Sequence, residues 1–381
     1  MTNSFKRILI VAGEASGDIH GEQLVRALKK RYRKLQFFGM GGAKMRRAGV
    51  ETFFDIKRTG AMGLFENFGN IFYYLSIYRE LKSKIENCNY DAIILIDYPT
   101  LNLRLAAHGK RVGCPVYYFI SPQIWAWRKT RIRVISQRVK KMFVVLPFEE
   151  KIYREADVDV EFVGHPFVEL VKPELSVEGA KKEFGLSTDV PVVGLLPGSR
   201  VNEVNSLLDT MLSSAEIIKK EIPNCQFILP VAETIKYDLI QRQLGENPLN
   251  VKVIERRNYD AMNVSDCLVI ASGSATLEAG ILGRPMVIVY KLHPLTHLIA
   301  KWLVEVDHFG LINLTAGERV VPELLQREVT PDRIAKEVLR YLKDPQHAFK
   351  VSERLLKIRY ALGKPGVAQR TANAILGDLG L

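Results

Sequence analysis

Short, unbroken runs of β-branched and aliphatic residues recur along the chain, separated by longer stretches in which apolar positions return every third or fourth residue. In the first half the runs are Ile8–Ala12, Gln36–Gly39, Ala92–Ile96, Val116–Ile120, Met142–Val145 and Glu161–Val163. They are continuous rather than alternating, which predicts strands covered by helices on both faces and hence parallel sheet. Segments between them, such as Glu22–Arg31 and Asn102–Arg111, carry the helical period. The pattern predicts an α/β fold of the doubly wound kind.

The alternation breaks over Phe167–Glu183, where Pro166, Pro173 and several charges interrupt it. It restarts with Val192–Leu196, Gln226–Val231, Val251–Ile254, Leu268–Ala271 and Met286–Val289. Two domains are therefore expected, over residues 1–170 and 171–349. From Pro331 onward only helical segments remain, among them Arg333–Leu342 and Arg354–Leu362, and the last of them (350–381) are expected to pack back on the first domain. A chain of 381 residues, 47% of them hydrophobic, can furnish two cores of ordinary size. Paired doubly wound domains bind ligands in the cleft between the carboxyl ends of their strands, so the chemistry is sought in loops that follow strands.

Composition adds a charge and removes some classes. The formal net charge is +12, and Arg128–Lys141 holds seven bases and no acid. Such a run attracts nucleic acid, anionic lipid or phosphorylated substrates, or is a solvated helix face. The four cysteines, Cys88, Cys114, Cys225 and Cys267, have no CxxC spacing, and buried thiols in a reducing compartment are expected. The opening MTNSFKRILIVAGE passes straight into a strand without the apolar core of a signal peptide. No run reaches the roughly 18 apolar residues of a membrane-spanning helix, so a cytoplasmic location is expected. His293 and His297 are four apart, but Pro294 intervenes and no metal site is expected there; His165, in Gly-His-Pro at the domain break, is structural or a weak candidate.

Candidate chemistry in the first half follows the strands. Gly13-Glu14-Ala15-Ser16-Gly17-Asp18 is a glycine turn without the GxGxxG spacing of a dinucleotide site. Glu14, Ser16 and Asp18 suit sugar hydroxyls, or Ser16 and Asp18 cap a helix. Asp97 ends the third run and precedes Tyr98-Pro99-Thr100, where it serves as a general base or as a turn residue. After the fourth run, Trp125 and Trp127 offer a wall for sugar or acyl chain, with Arg128 and Arg131 placed for a phosphate. The segment 62–75 crowds five aromatics into a stretch too short to span a bilayer. Met62, Leu64, Phe65, Phe68, Phe72, Tyr73 and Leu75 contact lipid there, or belong to a core helix.

In the second half, the loop Ser272-Gly273-Ser274-Ala275 lies where a strand feeds a helix N-terminus, a place whose free N–H groups and dipole suit a diphosphate. Thr276 adds a hydroxyl. Glu278 accepts from ribose hydroxyls or merely faces the dipole. Pro197-Gly198-Ser199-Arg200 repeats the arrangement after the strand Val192–Leu196, with Gly198 and Ser199 offering N–H donors and Arg200 placed for a diphosphate, or with Ser199 and Glu203 as capping groups.

Taken together, GEASGD at 13–18, FGMGG at 38–42, MGLFE at 62–66, SPQIWAWR at 121–128, PGSRVNE at 197–203, SGSATLE at 272–278 and VPELLQ at 321–326 resemble the lipid-A-disaccharide synthases over nearly the whole chain. The resemblance implies a GT-B architecture, two Rossmann-like domains facing a central cleft, with no metal and no cofactor. It implies an inverting transfer from UDP-2,3-diacylglucosamine to 2,3-diacylglucosamine 1-phosphate (lipid X). The products are UDP and a β-1,6-linked disaccharide 1-phosphate. Asp97 then matches the base for the acceptor 6-hydroxyl. Arg200, the 272–276 loop, Glu278, Asn313 and Gln326 match UDP contacts. Peripheral attachment to the anionic cytoplasmic face of the inner membrane is implied, and no nucleic acid; homo-oligomer formation is left open.

Two positions depart from the family pattern: Thr100 stands where an aspartate is frequent, and Ser274 where a threonine is. The first weakens any scheme that needs a second acid beside Asp97. Two rival readings remain. Another GT-B enzyme, a UDP-sugar 2-epimerase included, shares the UDP loop but has no use for the aromatic segment. A basic membrane- or nucleic-acid-binding protein accounts for the charge but not for polar motifs after successive strands.

Overall fold

The computed structural model describes residues 5–56, 70–122, 131–291 and 308–381. The chain divides into two units, Met1–Pro166 with Leu362–Leu381, and Phe167–Ala361.

The first unit holds a seven-stranded sheet. Its strands are β1 (Lys6–Ala12), β2 (Leu35–Gly41), β3 (Val50–Asp55), β4 (Ala92–Ile96), β5 (Val116–Phe119), β6 (Lys141–Val144) and β7 (Val160–Phe162), in the order β3-β2-β1-β4-β5-β6-β7. Every pairing is parallel. Ile8–Ala12 and Ala92–Ile96 are buried throughout, as the unbroken apolar runs require of strands covered on both faces.

The second unit holds β8 (Val192–Leu196), β9 (Gln226–Val231), β10 (Lys252–Glu255), β11 (Cys267–Ala271), β12 (Met286–Tyr290) and β13 (Glu323–Leu325). Their order is β10-β9-β8-β11-β12-β13, again all parallel. Counted from its own first strand, the second sheet runs 3-2-1-4-5-6, the doubly wound order, and the first follows the same order with a seventh strand added at the end.

The crossings between units fall at different residues from those the sequence suggested. Helix Phe167–Leu170 packs on helix Ser274–Ile281 and so belongs to the second unit. Helix Pro345–Ala361 stays there too, against Ser274–Ile281 and Pro331–Lys343. Only Leu362–Leu381 returns to the first unit, where helix Val367–Asp378 lies along helix Ala15–Arg31. Polar ties fix it: Tyr117 Oη donates to Asp378 at 2.8 Å, Lys140 pairs with the same carboxylate at 2.8 Å, and Arg370 Nε donates to the Val163 carbonyl at 2.9 Å. His165 is buried beside this return, its backbone N–H on the Leu362 carbonyl, and burial followed by the nearby His20 pushes its imidazole down to about 3. A ring held neutral in this way is part of the packing.

Candidate functional site

In each sheet the chain leaves the first and fourth strands toward opposite faces, so the loops after them diverge and open a crevice at the strand ends. In the first unit these are the loops after β1 and β4, which carry Glu14 and Asp97.

Asp97 and Tyr98 both adopt left-handed backbone, at φ 44° and 46°, to turn the chain sharply from β4 into helix Pro99–Arg111. Two successive residues other than glycine in this region cost about 1–3 kcal/mol each, so the surroundings must hold them. They do. The Asp97 carbonyl accepts from Tyr118 Oη at 2.5 Å and from Asn102 Nδ2 at 2.7 Å, and the Asp97 N–H donates to the Phe119 carbonyl at 3.0 Å. The Tyr98 ring closes over Gly13, where a Cβ would stand 2.3 Å from a ring carbon; glycine there is what lets the β1 and β4 loops meet.

Burial, then the Glu14 carboxylate, raises Asp97 from an ordinary 3.8 to about 6, against the pull of a hydrogen bond from the Tyr98 N–H. Glu14 itself is exposed as the residue before helix Ala15–Arg31, and Ser16 is exposed in its first turn. Asp18 is a capping group, though of a helix other than the one it lies in. Its buried carboxylate accepts from the N–H groups of Gly42, Lys44 and Met45 at 2.7, 3.1 and 3.0 Å, capping helix Ala43–Arg47.

Arg131 is half-buried, its charge acting on the Tyr118 hydroxyl. Trp125, Trp127 and Arg128 lie outside the described residues, as do Met62, Leu64, Phe65 and Phe68, and His293 and His297. Of the aromatic segment, helix Asn70–Asn87 leaves Phe72 78% exposed and Leu75 half-buried. Tyr73 is half-buried against the core of the first sheet, the core-helix alternative of the two readings at this position.

The second unit's crevice lies between the loops after β8 and β11. Ser199 and Arg200 open helix Val201–Glu221, but the donors there already have a partner. Glu203 Oε2 accepts from the N–H groups of Ser199 and Arg200 at 3.0 and 3.3 Å, and its Oε1 takes the Arg200 guanidinium at 2.6 Å. Gly198, at φ 121°, is where this carboxylate folds back, 2.4 Å from any added Cβ. The Arg200 side chain is 80% exposed, so the pair is a weak one. Thr234, after β9, donates to the Ser199 carbonyl at 2.6 Å.

Across the crevice, Gly273 and Ser274 are exposed, and a Cβ on Gly273 would meet nothing within 4 Å. Ala275 is half-buried. Ser272 Oγ donates to the Phe309 carbonyl at 3.0 Å, and Thr276 Oγ1 donates inward to the Gly273 carbonyl at 2.8 Å, so these hydroxyls shape the loop. Glu278 is raised to about 7 by burial, with a weak opposing bond from Ser274 Oγ at 3.5 Å. Its charge and that of Glu233 bear on the Tyr259 hydroxyl, which burial pushes to about 12. Tyr290, raised by burial, faces Glu203 and Arg200.

Asn313, expected to contact UDP, is fully buried and fully occupied. Its Nδ2 donates to the Val321 carbonyl and to Glu323 Oε1, both at 2.8 Å, and its Oδ1 accepts from Val320 and Val321 N–H at 2.9 and 3.0 Å. Glu323 also accepts from the N–H groups of Phe309 and Gly310 at 2.9 and 3.0 Å. The two residues hold the loop above β12 and β13 in place rather than face a ligand. Gln326 is half-buried with left-handed backbone, φ 52°, just past β13.

Two residues near these sites carried no signal of their own in the sequence: Tyr118 on the Asp97 carbonyl and Tyr259 beside Glu278. Each lies in an ordinary strand or helix pattern, and only the tertiary fold brings it to the strand ends. Asn102 and Glu323 fall inside segments the sequence singles out, but their buried partners are tertiary.

A match to the family described as Lipid-A-disaccharide synthetase runs over residues 8–375. A lipid-A-disaccharide synthase of Syntrophus aciditrophicus is 45% identical over 368 residues, covering 96% of each chain. That of Geobacter sulfurreducens is 44% identical over 378 residues, covering 99% of this chain and 98% of its own. Among solved structures, the UDP-GlcNAc 2-epimerase of Neisseria meningitidis bound to UDP-GlcNAc superposes with a TM-score of 0.67 at 14% identity, over 97% of this chain and 100% of that one. A glycosyltransferase of Rickettsia africae does so with a TM-score of 0.60 at 10% identity, over 99% of each. At these identities the structures speak for the GT-B fold alone, which epimerase and transferase share; the sequence relatives separate the two.

Proposed function

The chain belongs to the lipid-A-disaccharide synthase family, and from that membership we propose that Asp97 is the general base of its reaction and that the strand-end loops of the second unit hold the UDP leaving group. The enzyme is an inverting hexosyltransferase of lipid A assembly. It joins UDP-2,3-diacylglucosamine to 2,3-diacylglucosamine 1-phosphate. The acceptor 6-oxygen attacks the donor's anomeric carbon, the bond from that carbon to the β-phosphate oxygen breaks, and UDP departs; the hydroxyl proton passes to Asp97.

The observation that carries the assignment is Asp97 at the β1/β4 switch point, raised to about 6 by burial and by Glu14. A carboxylate of that basicity is ionised at neutral pH yet takes a proton more readily than a solvated one, as a general base requires. Glu14 contributes by holding that value up, so the departure at Thr100 leaves the pair of acids intact. In the second unit, Arg200 exchanges Glu203 for the diphosphate and offsets its growing charge. The exposed 273–274 turn opens helix Ser274–Ile281 toward the same anion, and Glu278 accepts from the ribose hydroxyls.

Incubation with the two diacylglucosamine substrates should give the disaccharide 1-phosphate, read by mass spectrometry; no product from well-folded enzyme sinks the assignment. kcat/KM should fall about tenfold per pH unit below pH 6, because Asp97 of the free enzyme is protonated there and cannot accept the hydroxyl proton. Glu278 also titrates nearby, at about 7, so the profile is repeated in Glu278→Gln. A limb near 6 that survives this change belongs to Asp97; one that vanishes belongs to Glu278.

Among the described residues no helix is long and apolar enough to cross a membrane. Attachment is proposed to be peripheral, supported by the +12 charge and by Phe72, which stands exposed on helix Asn70–Asn87. Phe72→Ser should weaken partition onto vesicles containing anionic lipid by roughly tenfold, the effect of one inserted ring. Unchanged partition in a sedimentation assay argues that this side chain meets no lipid.

A further inference from the structure

We propose that Tyr118 and Asn102 are positioning residues for Asp97, acting through its backbone carbonyl; the proposal rests on the reading of Asp97 as the base. Tyr118 lies on β5 opposite Leu95 of β4 and is fully buried. Its hydroxyl reaches past the end of β4 to donate to the Asp97 carbonyl at 2.5 Å. Asn102, also fully buried, stands in the first turn of helix Pro99–Arg111. Its Nδ2 donates to the carbonyls of Ile96 and Asp97 at 3.1 and 2.7 Å. One carbonyl thus takes two side-chain donors from two different elements, at the first of two successive left-handed residues.

Packing alone does not call for these side chains. Phenylalanine and leucine would fill the same volume without burying polar atoms, and Asn102 Oδ1 is buried with no partner among the described residues, a standing penalty. What the two donors accomplish is directional. The peptide after Asp97 is held in one orientation, and the Asp97 side chain is carried on the same left-handed turn at the end of β4. With the carbonyl released, the strained turn relaxes toward ordinary backbone and the carboxylate moves with it. A base displaced by a fraction of an ångström from the hydroxyl it serves loses rate without loss of substrate.

The test is Tyr118→Phe, which keeps the ring and removes one donor, with Asn102→Leu as the second variant. Tyr118→Phe should lower kcat about 10- to 100-fold while KM for both substrates stays within about twofold. In an Asp97→Asn background it should lower the residual rate by less than about twofold, since the group it positions is gone. Unchanged kcat in both variants overturns the proposal. So does an equal loss with and without Asp97, which would mean the tyrosine acts elsewhere. An Asp97→Asn enzyme with full activity removes the base itself and this proposal with it. Loss in Asp97→Asn beside wild-type turnover in Tyr118→Phe and Asn102→Leu removes the positioning role alone.

Discussion

Asp97→Asn should abolish nearly all turnover, by about 10²- to 10⁴-fold in kcat, the range a positioned general base supplies. Asparagine has the same shape and keeps the left-handed turn, but it cannot take the acceptor's proton. UDP affinity should stay close to wild type, because Arg200, the 272–276 loop and Glu278 are built on the strands of the other unit. The variant should also be no less stable than its parent. The Asp97 carboxyl titrates at about 6 in the fold against 3.8 in an open chain. With a raised folded value, its contribution to stability is fully present below pH 4 and is lost as pH rises through 6. At neutral pH the ionised group is therefore a cost of about 1–3 kcal/mol, which asparagine removes. Lost activity with an equal or higher Tm marks a group kept for chemistry at the expense of stability. Retained turnover, measured as disaccharide formed at saturating substrates, would eliminate Asp97 as the base.

Much of this architecture is legible in the chain because a buried parallel strand leaves a strong mark. Val192–Leu196 and Gln226–Val231 are strands with the bounds their apolar runs suggest, and Ile8–Ala12 differs from β1 only at its start. The strands that left no such mark are β3 and β13, each the outermost of its sheet. Val50–Asp55 is half exposed along its length, and Glu323–Leu325 is three residues opened by an acid. Edge strands need not be apolar on both faces, so the signal that finds the central ones fades there. Returning helix Val367–Asp378 was anticipated in kind but not in extent, since helix Pro345–Ala361 is amphipathic for the second unit's core instead.

The site was legible in position and only partly in role. Glycine turns and acids after successive strands point to loops that the fold places at the strand ends beside the switch points, where a doubly wound sheet commonly binds. Whether a given polar side chain faces a ligand or the protein depends on partners far away in sequence. Asp18 meets N–H groups 24 to 27 residues on, and no local pattern reveals them. Glu203 is read as a capping group, and the fold shows it as one, on the N–H groups of Ser199 and Arg200. The Asp97 carboxylate, raised by burial and by Glu14 and opposed by one backbone N–H, leaves the reading of it as a base a proposal.

The sharpest separation between a ligand contact and a structural one should come from Asn313→Ala. Truncation removes four hydrogen bonds from a site with no solvent access and leaves the Val320 and Val321 N–H groups buried without their acceptor. Each stranded backbone donor costs about 1–3 kcal/mol, and Glu323, a buried carboxylate, loses one of its donors as well. A total loss of about 3–5 kcal/mol is expected, among the largest that a single substitution produces in a fold of this kind. Calorimetry should show the transition of the second unit falling well below that of the wild type. At a temperature where the variant is still folded, UDP should bind with close to its normal affinity, since the side chain does not face the crevice. An unchanged transition together with a steep loss of UDP affinity would mean that Asn313 meets the nucleotide directly and that its bonds to Val321 and Glu323 contribute little. The same measurement on Glu323→Gln tests the other half of the pair. It keeps the shape but replaces one acceptor oxygen with a donor, opposite the N–H groups of Phe309 and Gly310, and so should destabilise the same loop.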